Sequence, residues 1–293
     1  MIKYFFVFVL GFFFSLSIKA QTYEFYGVLK LNGKSEEAIS YRLIFDEKNG
    51  KIKGYSITDI TGNHETKNLV DGYYDTDKKY LRFKEKNIIY TKSPISDDLF
   101  CFVSFEGKIK LNAKKPRIEG KFKGLFKNET KCIDGTLDLI SSVTVQSFLE
   151  KANKKIQKSK KLDEDTKKKY NPIQIFDSLQ TNQLTTSQNL NIFYPYENVS
   201  FEIWDKGIED GDIINLTHNN KIILQNFTVS KIKKKVDITL DPDQNIFVIE
   251  AVNEGTEGPN TAMIVLQGEK PIEFQSNLKK GETASVTIIK QKQ

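Results

Sequence analysis

Asp205-Lys206-Gly207-Ile208-Glu209-Asp210-Gly211-Asp212 packs four acids and two glycines into eight residues. Carboxylate oxygens on a loop that glycine lets bend are the donors Ca2+ takes, roughly six to eight oxygens per ion. A second stretch, Asn253-Glu254-Gly255-Thr256-Glu257-Gly258-Pro259-Asn260-Thr261, adds Glu254 and Glu257. The ligand set expected from the two is Asp205, Asp210, Asp212 and Glu254, with Ca2+ as the ion. The order is not that of an EF-hand loop, whose alternating acids and closing Glu are missing. A plainer reading stands beside it: Asp210-Gly211 is a turn, and Asp210 or Asp212 accepts backbone N–H groups.

Paired carboxylates also hydrolyse glycosides, when two of them stand about 5–9 Å apart across the bond. Here Trp204 is the only tryptophan, so no cluster of sugar-stacking rings accompanies the acids. The two histidines lie in turn-like settings, His64 in Gly62-Asn63-His64-Glu65 and His218 before Asn219-Asn220. No nucleophile elbow partners them. Two His and two Cys exclude zinc fingers and disulfide-dense scaffolds. No glycine loop of the phosphate-binding kinds occurs. Cys101 and Cys132 form an even pair, and in an oxidising compartment an even pair favours a disulfide. The alternative is two buried thiols.

The compartment is read from the start of the chain. Met1-Ile2-Lys3 leads into an apolar run, Tyr4 to Ile18, and then Lys19-Ala20-Gln21. The run is short of the roughly twenty residues that span a bilayer. Its layout is that of a secretory signal, residues 1–20, cut after Ala20. The expected location is therefore secreted or periplasmic, with no transmembrane segment once the leader is removed. The net charge of +6 sits in two places. The leader holds Lys3 and Lys19 and no acid, and residues 150–170 hold nine Lys against four acids, so the remainder carries −1. A nucleic-acid partner has no electrostatic footprint on such a surface.

The elements that position these residues are mostly strands. From residue 21 to 142, runs rich in β-branched and aromatic residues alternate with turn signals such as Asn49-Gly50 and Glu106-Gly107. The runs include a short one at Ile109–Leu111. The pattern predicts an antiparallel β-barrel of the lipocalin or streptavidin kind, whose mouth can hold one small ligand. An apolar-x-Gly-x-apolar element recurs around Gly27, Gly72, Gly120 and Gly135. Repeated glycine in strands fits bends that let the sheet close, or close approach of a ligand. Residues 143–184 read as a basic helical linker: Val145, Phe148, Leu149, Ala152 and Ile156 form one stripe, with Ser147 as the expected cap. Residues 185–293 carry short strands at the spacing of an immunoglobulin-like β-sandwich. If consecutive strands run antiparallel, the loops 205–211, 230–235 and 253–261 share one end.

Ile203-Trp204-Asp205-x-Gly207-x-x-Asp210-Gly211-Asp212, followed by Asn253-Glu254-Gly255-x-x-Gly258-Pro259-Asn260-Thr261-Ala262, resembles a domain that ends secreted two-domain proteins of Bacteroidota type. The resemblance covers about residues 185–290 and implies export and an immunoglobulin-like sandwich, but no activity. Lys206 stands where the family pattern has Asn, which removes one potential oxygen ligand. The expected function is an exported, non-catalytic binding or structural protein of the cell envelope. Its partner would be a small ligand or an envelope or extracellular component. The alternative is a carboxylate-dependent hydrolase acting on envelope or extracellular glycans.

Overall fold

The structure is a computed structural model that describes residues 20–33, 38–94, 97–242, 244–268 and 271–290. The expected leader, apart from Ala20, lies outside the described residues. The chain is mostly β. Its first eight strands are β1 (Gln21–Leu31), β2 (Ala38–Lys48), β3 (Lys51–Thr58), β4 (Thr66–Asp75), β5 (Tyr80–Thr91), β6 (Phe102–Lys108), β7 (Arg117–Leu125) and β8 (Gly135–Ser141). They pair antiparallel in sequence, and β1 pairs with β8, so the barrel closes.

Alternation decides what fills it. Phe25, Tyr41, Leu43, Phe45, Leu81, Phe83, Phe105 and Leu139 all point inward and are buried. Phe83 and Phe105 stack at 5.5 Å between centroids. The Asn49-Gly50 hairpin, both residues at positive φ, is the tight turn that matches strand twist. Three of the recurring glycines, Gly27, Gly72 and Gly135, sit where the neighbouring backbone leaves no room for a side chain. A Cβ on Gly27 would strike Asp138 O and lie 2.8 Å from Leu139 Cα, and one on Gly72 would strike Arg82 O. Strands thus approach closely where the sheet curls.

Ile109–Leu111 is not a strand. Ile109 and Leu111 are buried across one end of the barrel, where Tyr74 Oη donates to Ile109 O at 3.1 Å and accepts from Leu111 N. The run reads as a strand because it is apolar, but it is short and plugs the barrel instead of pairing.

Three helices follow: α1 (Ser142–Gln157), α2 (Glu164–Lys169) and α3 (Pro172–Ser178). The N-cap of α1 is Ser141, so Ser147 lies inside the helix. The predicted stripe is only partly covered. Val145, Leu149 and Ile156 are half-buried, while Phe148 and Ala152 are exposed; among the described elements α1 packs chiefly on α3, β1 and β8. Phe176 of α3 packs edge-on against Tyr26 on the outer wall, 5.0 Å between centroids.

The second half builds two sheets over one core. β10 (Asn189–Tyr194), β12 (Ile213–His218), β13 (Lys221–Thr228), β15 (Asn245–Ala251) and β18 (Thr283–Lys290) form one, in the order β13-β12-β15-β18-β10. β9 (Asn182–Leu184), β11 (Asn198–Trp204), β14 (Lys234–Thr239), β16 (Met263–Leu266) and β17 (Ile272–Ser276) form the other. Phe201 and Ile203 of one sheet meet Phe247, Ile249 and Ile288 of the other. β9 falls inside the stretch read as linker; three residues are too few to show a period. The first sheet is continuous with the barrel. β5 outruns its pairing with β6, which ends at Lys84↔Ser104, and its last residues Tyr90 and Thr91 pair with Ile192 and Asn191 of β10.

Candidate ligand-binding site

Among the described residues, the barrel has one stopped end and one open end. At the open end, β1, β3, β5 and β7 finish and β2, β4, β6 and β8 begin. The aromatic core stops short of it, leaving a cavity of about 240 Å3. Its walls are Leu29, Leu31, Ile39, Phe100, Phe122 and Ile133. Its polar lining is Thr58, Asp59, His64, Thr66, Asn68, Glu85 and Ser93. Larger grooves of about 460 and 580 Å3 lie along β5, β6 and β7; lysine and acidic side chains line them, and they reach the buried Glu85 and Val103, and Phe105 and Phe122, from the other side.

Glu85 is the strongest feature of this end. It follows Leu81 and Phe83 on the inward face and is buried. Its Oε1 accepts from Tyr41 Oη at 2.8 Å and from Ser56 Oγ, and its Oε2 accepts from Val103 N at 2.7 Å. The last bond fills the gap where β6 has stopped pairing with β5. Burial pushes the Glu85 carboxyl above its ordinary range, against the pull of the Ser56, Val103 and Tyr41 donors. The same burial, with the Glu85 charge beside it, holds the Tyr41 phenol protonated well beyond its usual pKa. Asn68 lies on the adjacent strand, also inward and buried, and its Oδ1 has no hydrogen-bond partner among the described residues.

Cys101 and Cys132 are joined across the rim, Cα to Cα 6.1 Å, as the sequence predicts. The bond ties the approach to β6 to the loop after β7, and Cys101 lines the cavity. His64 reaches the cavity from the 59–65 loop, where its N–H bonds Asp59 Oδ2. That loop is fastened from below. Glu65 accepts from Tyr90 Oη at 2.8 Å and from Thr61 N at 2.9 Å, and Lys92 Nζ lies 3.5 Å from it. Lys92 Nζ also donates to Gln183 O at 2.7 Å, so this buried cluster joins the rim to the second half. Burial lowers the Lys92 pKa, and Glu65 opposes the shift.

The acids singled out in the sequence stand elsewhere, on loops that do meet. Asp205 N donates to Ser230 O, Lys231 N to Glu209 Oε2, and Thr256 N to Asp210 O. Asp205 Oδ1 accepts from Gly207 N at 2.7 Å, Asp210 Oδ2 from Glu257 N at 3.0 Å, and Asp212 Oδ2 from Thr261 N at 2.7 Å. Glu254 Oε1 takes Lys280 N at 3.1 Å. Among the described residues no three His, Cys, Asp or Glu side chains stand together as a metal-holding group. His218 is not in a turn. It is a buried residue of β12, stacked on Phe247 at 4.5 Å with its Nε2 2.9 Å from Asn245 Oδ1. The Asn219-Asn220 turn follows one residue later than the sequence suggests.

Sequence reading misses Glu85, Asn68, Glu65 and Lys92. For Glu85 and Asn68 a signal exists: each is a polar residue at an inward position of an alternating strand, Leu81-x-Phe83-x-Glu85 and Asn68-x-Val70. Glu65 and Lys92 have none, since their pairing depends on how β5 leaves the barrel. Compared with known proteins, the chain matches no protein family, no curated protein and no solved structure. No helix among the described residues is long and apolar enough to cross a membrane.

Proposed function

We propose that this chain is an exported, non-catalytic binding protein that holds one small, largely apolar ligand in the mouth of its barrel. The observation that carries the reading is the cavity itself: an apolar wall, a few polar groups at its floor, one end stopped and one open. Its volume suits a molecule smaller than most drug-sized ligands, whose pockets run from about 300 Å3 upward. Among the described residues its lining holds Glu85 and Asp59 and no Lys or Arg, and we take a ligand with a hydrogen-bond donor for Asn68 Oδ1 as favoured over a carboxylate.

Export is supported by the disulfide, a bond that persists in oxidising compartments. The second half, two sheets packed over a common core, fits an immunoglobulin-like module that carries the barrel at the cell envelope. The likeness to secreted two-domain proteins of Bacteroidota type belongs to the same reading.

The test is binding of an apolar fluorescent probe to the purified protein, followed by displacement with small aliphatic amines, alcohols and acids. Ile39→Trp, at the half-buried start of β2, fills the mouth and should cut probe binding at least tenfold while leaving the melting midpoint within a few degrees. Probe binding that survives Ile39→Trp unchanged puts the ligand elsewhere and overturns the reading.

A further inference from the structure

Four side-chain oxygens in the acidic loops share one condition. Asp205, Asp212 and Asn260 are almost wholly buried, at 1%, 1% and 0% exposure, and Asp210 is half-buried. Each of the four is gripped at one end by loop backbone. The three Asp take the N–H groups of Gly207, Glu257 and Thr261, and Asn260 Nδ2 donates to Ile213 O at 3.0 Å and Asn253 O at 3.1 Å. Each then has one oxygen left over: Asp205 Oδ2, Asp210 Oδ1, Asp212 Oδ1 and Asn260 Oδ1 are buried with no hydrogen-bond partner. They account for four of the nine such atoms among the described residues. A turn would use these carboxylates up; here only half of each is used.

The backbone holds these loops together: Asp205 N donates to Ser230 O and Val229 N to Asp212 O, each at 2.8 Å, so the two ends of the 205–212 loop meet the same strand end, and Thr256 N donates to Asp210 O at 3.1 Å. None of the ion pairs formed by Lys233 and Lys235 of the neighbouring loop goes to these three carboxylates. Lys231 donates to Gly207 O, Lys233 pairs with Glu202 and lies over the Trp204 ring, and Lys235 pairs with Asp237. An unpaired buried carboxylate is costly, and a cation that several of them share removes the cost.

We propose that Asp205, Asp210, Asp212 and Asn260 bind a calcium ion, with Asn260 taking the place that the sequence pattern assigns to Glu254. Oxygen donors of mixed charge, three carboxylates and an amide carbonyl, suit Ca2+, and backbone carbonyl or water completes the shell. Because the three carboxylates do not yet converge, the ion draws them in. Asp210, the least buried, moves most, and the ion thereby cross-links loops 205–212 and 253–261.

The experiment is a thermal melt of the purified protein in EDTA and then in excess Ca2+. It is paired with terbium luminescence sensitised by Trp204, the only tryptophan and the residue before Asp205. A site present only in the folded state raises the midpoint as the ion exceeds its Kd, here by at least about 3 °C. Asp210→Asn keeps an acceptor for the Glu257 N–H and loses one charge. It should melt at or above wild type in EDTA, where a repulsion has gone, yet lose the rise with Ca2+. Asp205→Asn should behave alike. Terbium emission should appear in wild type, be displaced by Ca2+ and fall at least tenfold in both variants. A Ca2+ rise that both variants keep, or no rise and no displaceable terbium emission in wild type, overturns the proposal. None of these readouts touches the barrel, so a negative result leaves the ligand reading standing.

Discussion

The mouth of the barrel and the acidic end of the second half both bury carboxylates, and they satisfy them differently. Glu85 receives three donors from three other strands, so both its oxygens are used and the carboxylate braces the wall. Asp205, Asp210 and Asp212 each spend one oxygen on a backbone N–H of their own loop pair and keep the other bare. A saturated buried acid is structural glue, and a half-saturated one is a held donor. Burial and charge look alike at the two places; only the count of partners separates them.

The comparison can be broken first at the joint between the halves. Lys92→Met leaves Glu65 buried without its cation, and should lower unfolding free energy by roughly 3–5 kcal/mol in a urea titration. Replacing Glu65 by Leu as well should recover part of that loss. A cost under about 1 kcal/mol would mean that the pair behaves as an exposed one and that water reaches the joint.

Next comes the rim. Cys101→Ser with Cys132→Ser frees a loop whose ends lie 31 residues apart, and should cost about 3–4 kcal/mol on the chain-entropy account. Probe binding at the mouth should weaken with it, while the calcium response at the acidic end stays. Equal losses at both ends would show the two to be one cooperative unit.

The smallest effect tests Glu85 itself. Its native pKa is raised by burial, so the native state holds its proton more tightly than the unfolded chain does. The stabilisation tied to that proton is full below the ordinary Glu pKa and fades as pH rises through the native value. The stability of wild type relative to Glu85→Gln should therefore fall as pH climbs above the ordinary Glu range. A relative stability that grows with pH would mean that the three donors outweigh desolvation and that Glu85 is ionised throughout.

Much of the architecture is legible in the residues alone. Period-two alternation through Tyr41, Leu43 and Phe45, and positive-φ turn residues such as Asn49-Gly50, specify strands and hairpins because both act over a few residues. The cysteine pair is legible because two thiols in an oxidising setting have few other fates. Alternation of strand direction along the second half is enough for parity to bring the three loops together, while the order of the strands within the two sheets is not local. What escapes is every feature in which a residue departs from its local pattern for a distant partner. Ile109 and Leu111 look like a strand and serve as a plug. Phe148 looks buried and is exposed, since no described element covers that side of α1.

The sites divide in the same way. Sequence alone determined where acids cluster, where glycine bends the chain and where the two thiols lie. Only the tertiary structure decided that Glu85 is saturated, that Asn68 is not, that Lys92 crosses to Gln183 and that Asn260 keeps a spare oxygen. The reason is physical: whether a buried oxygen is spent or spare depends on the donors within about 3 Å, and the closing of sheets brings those from strands far apart in the chain.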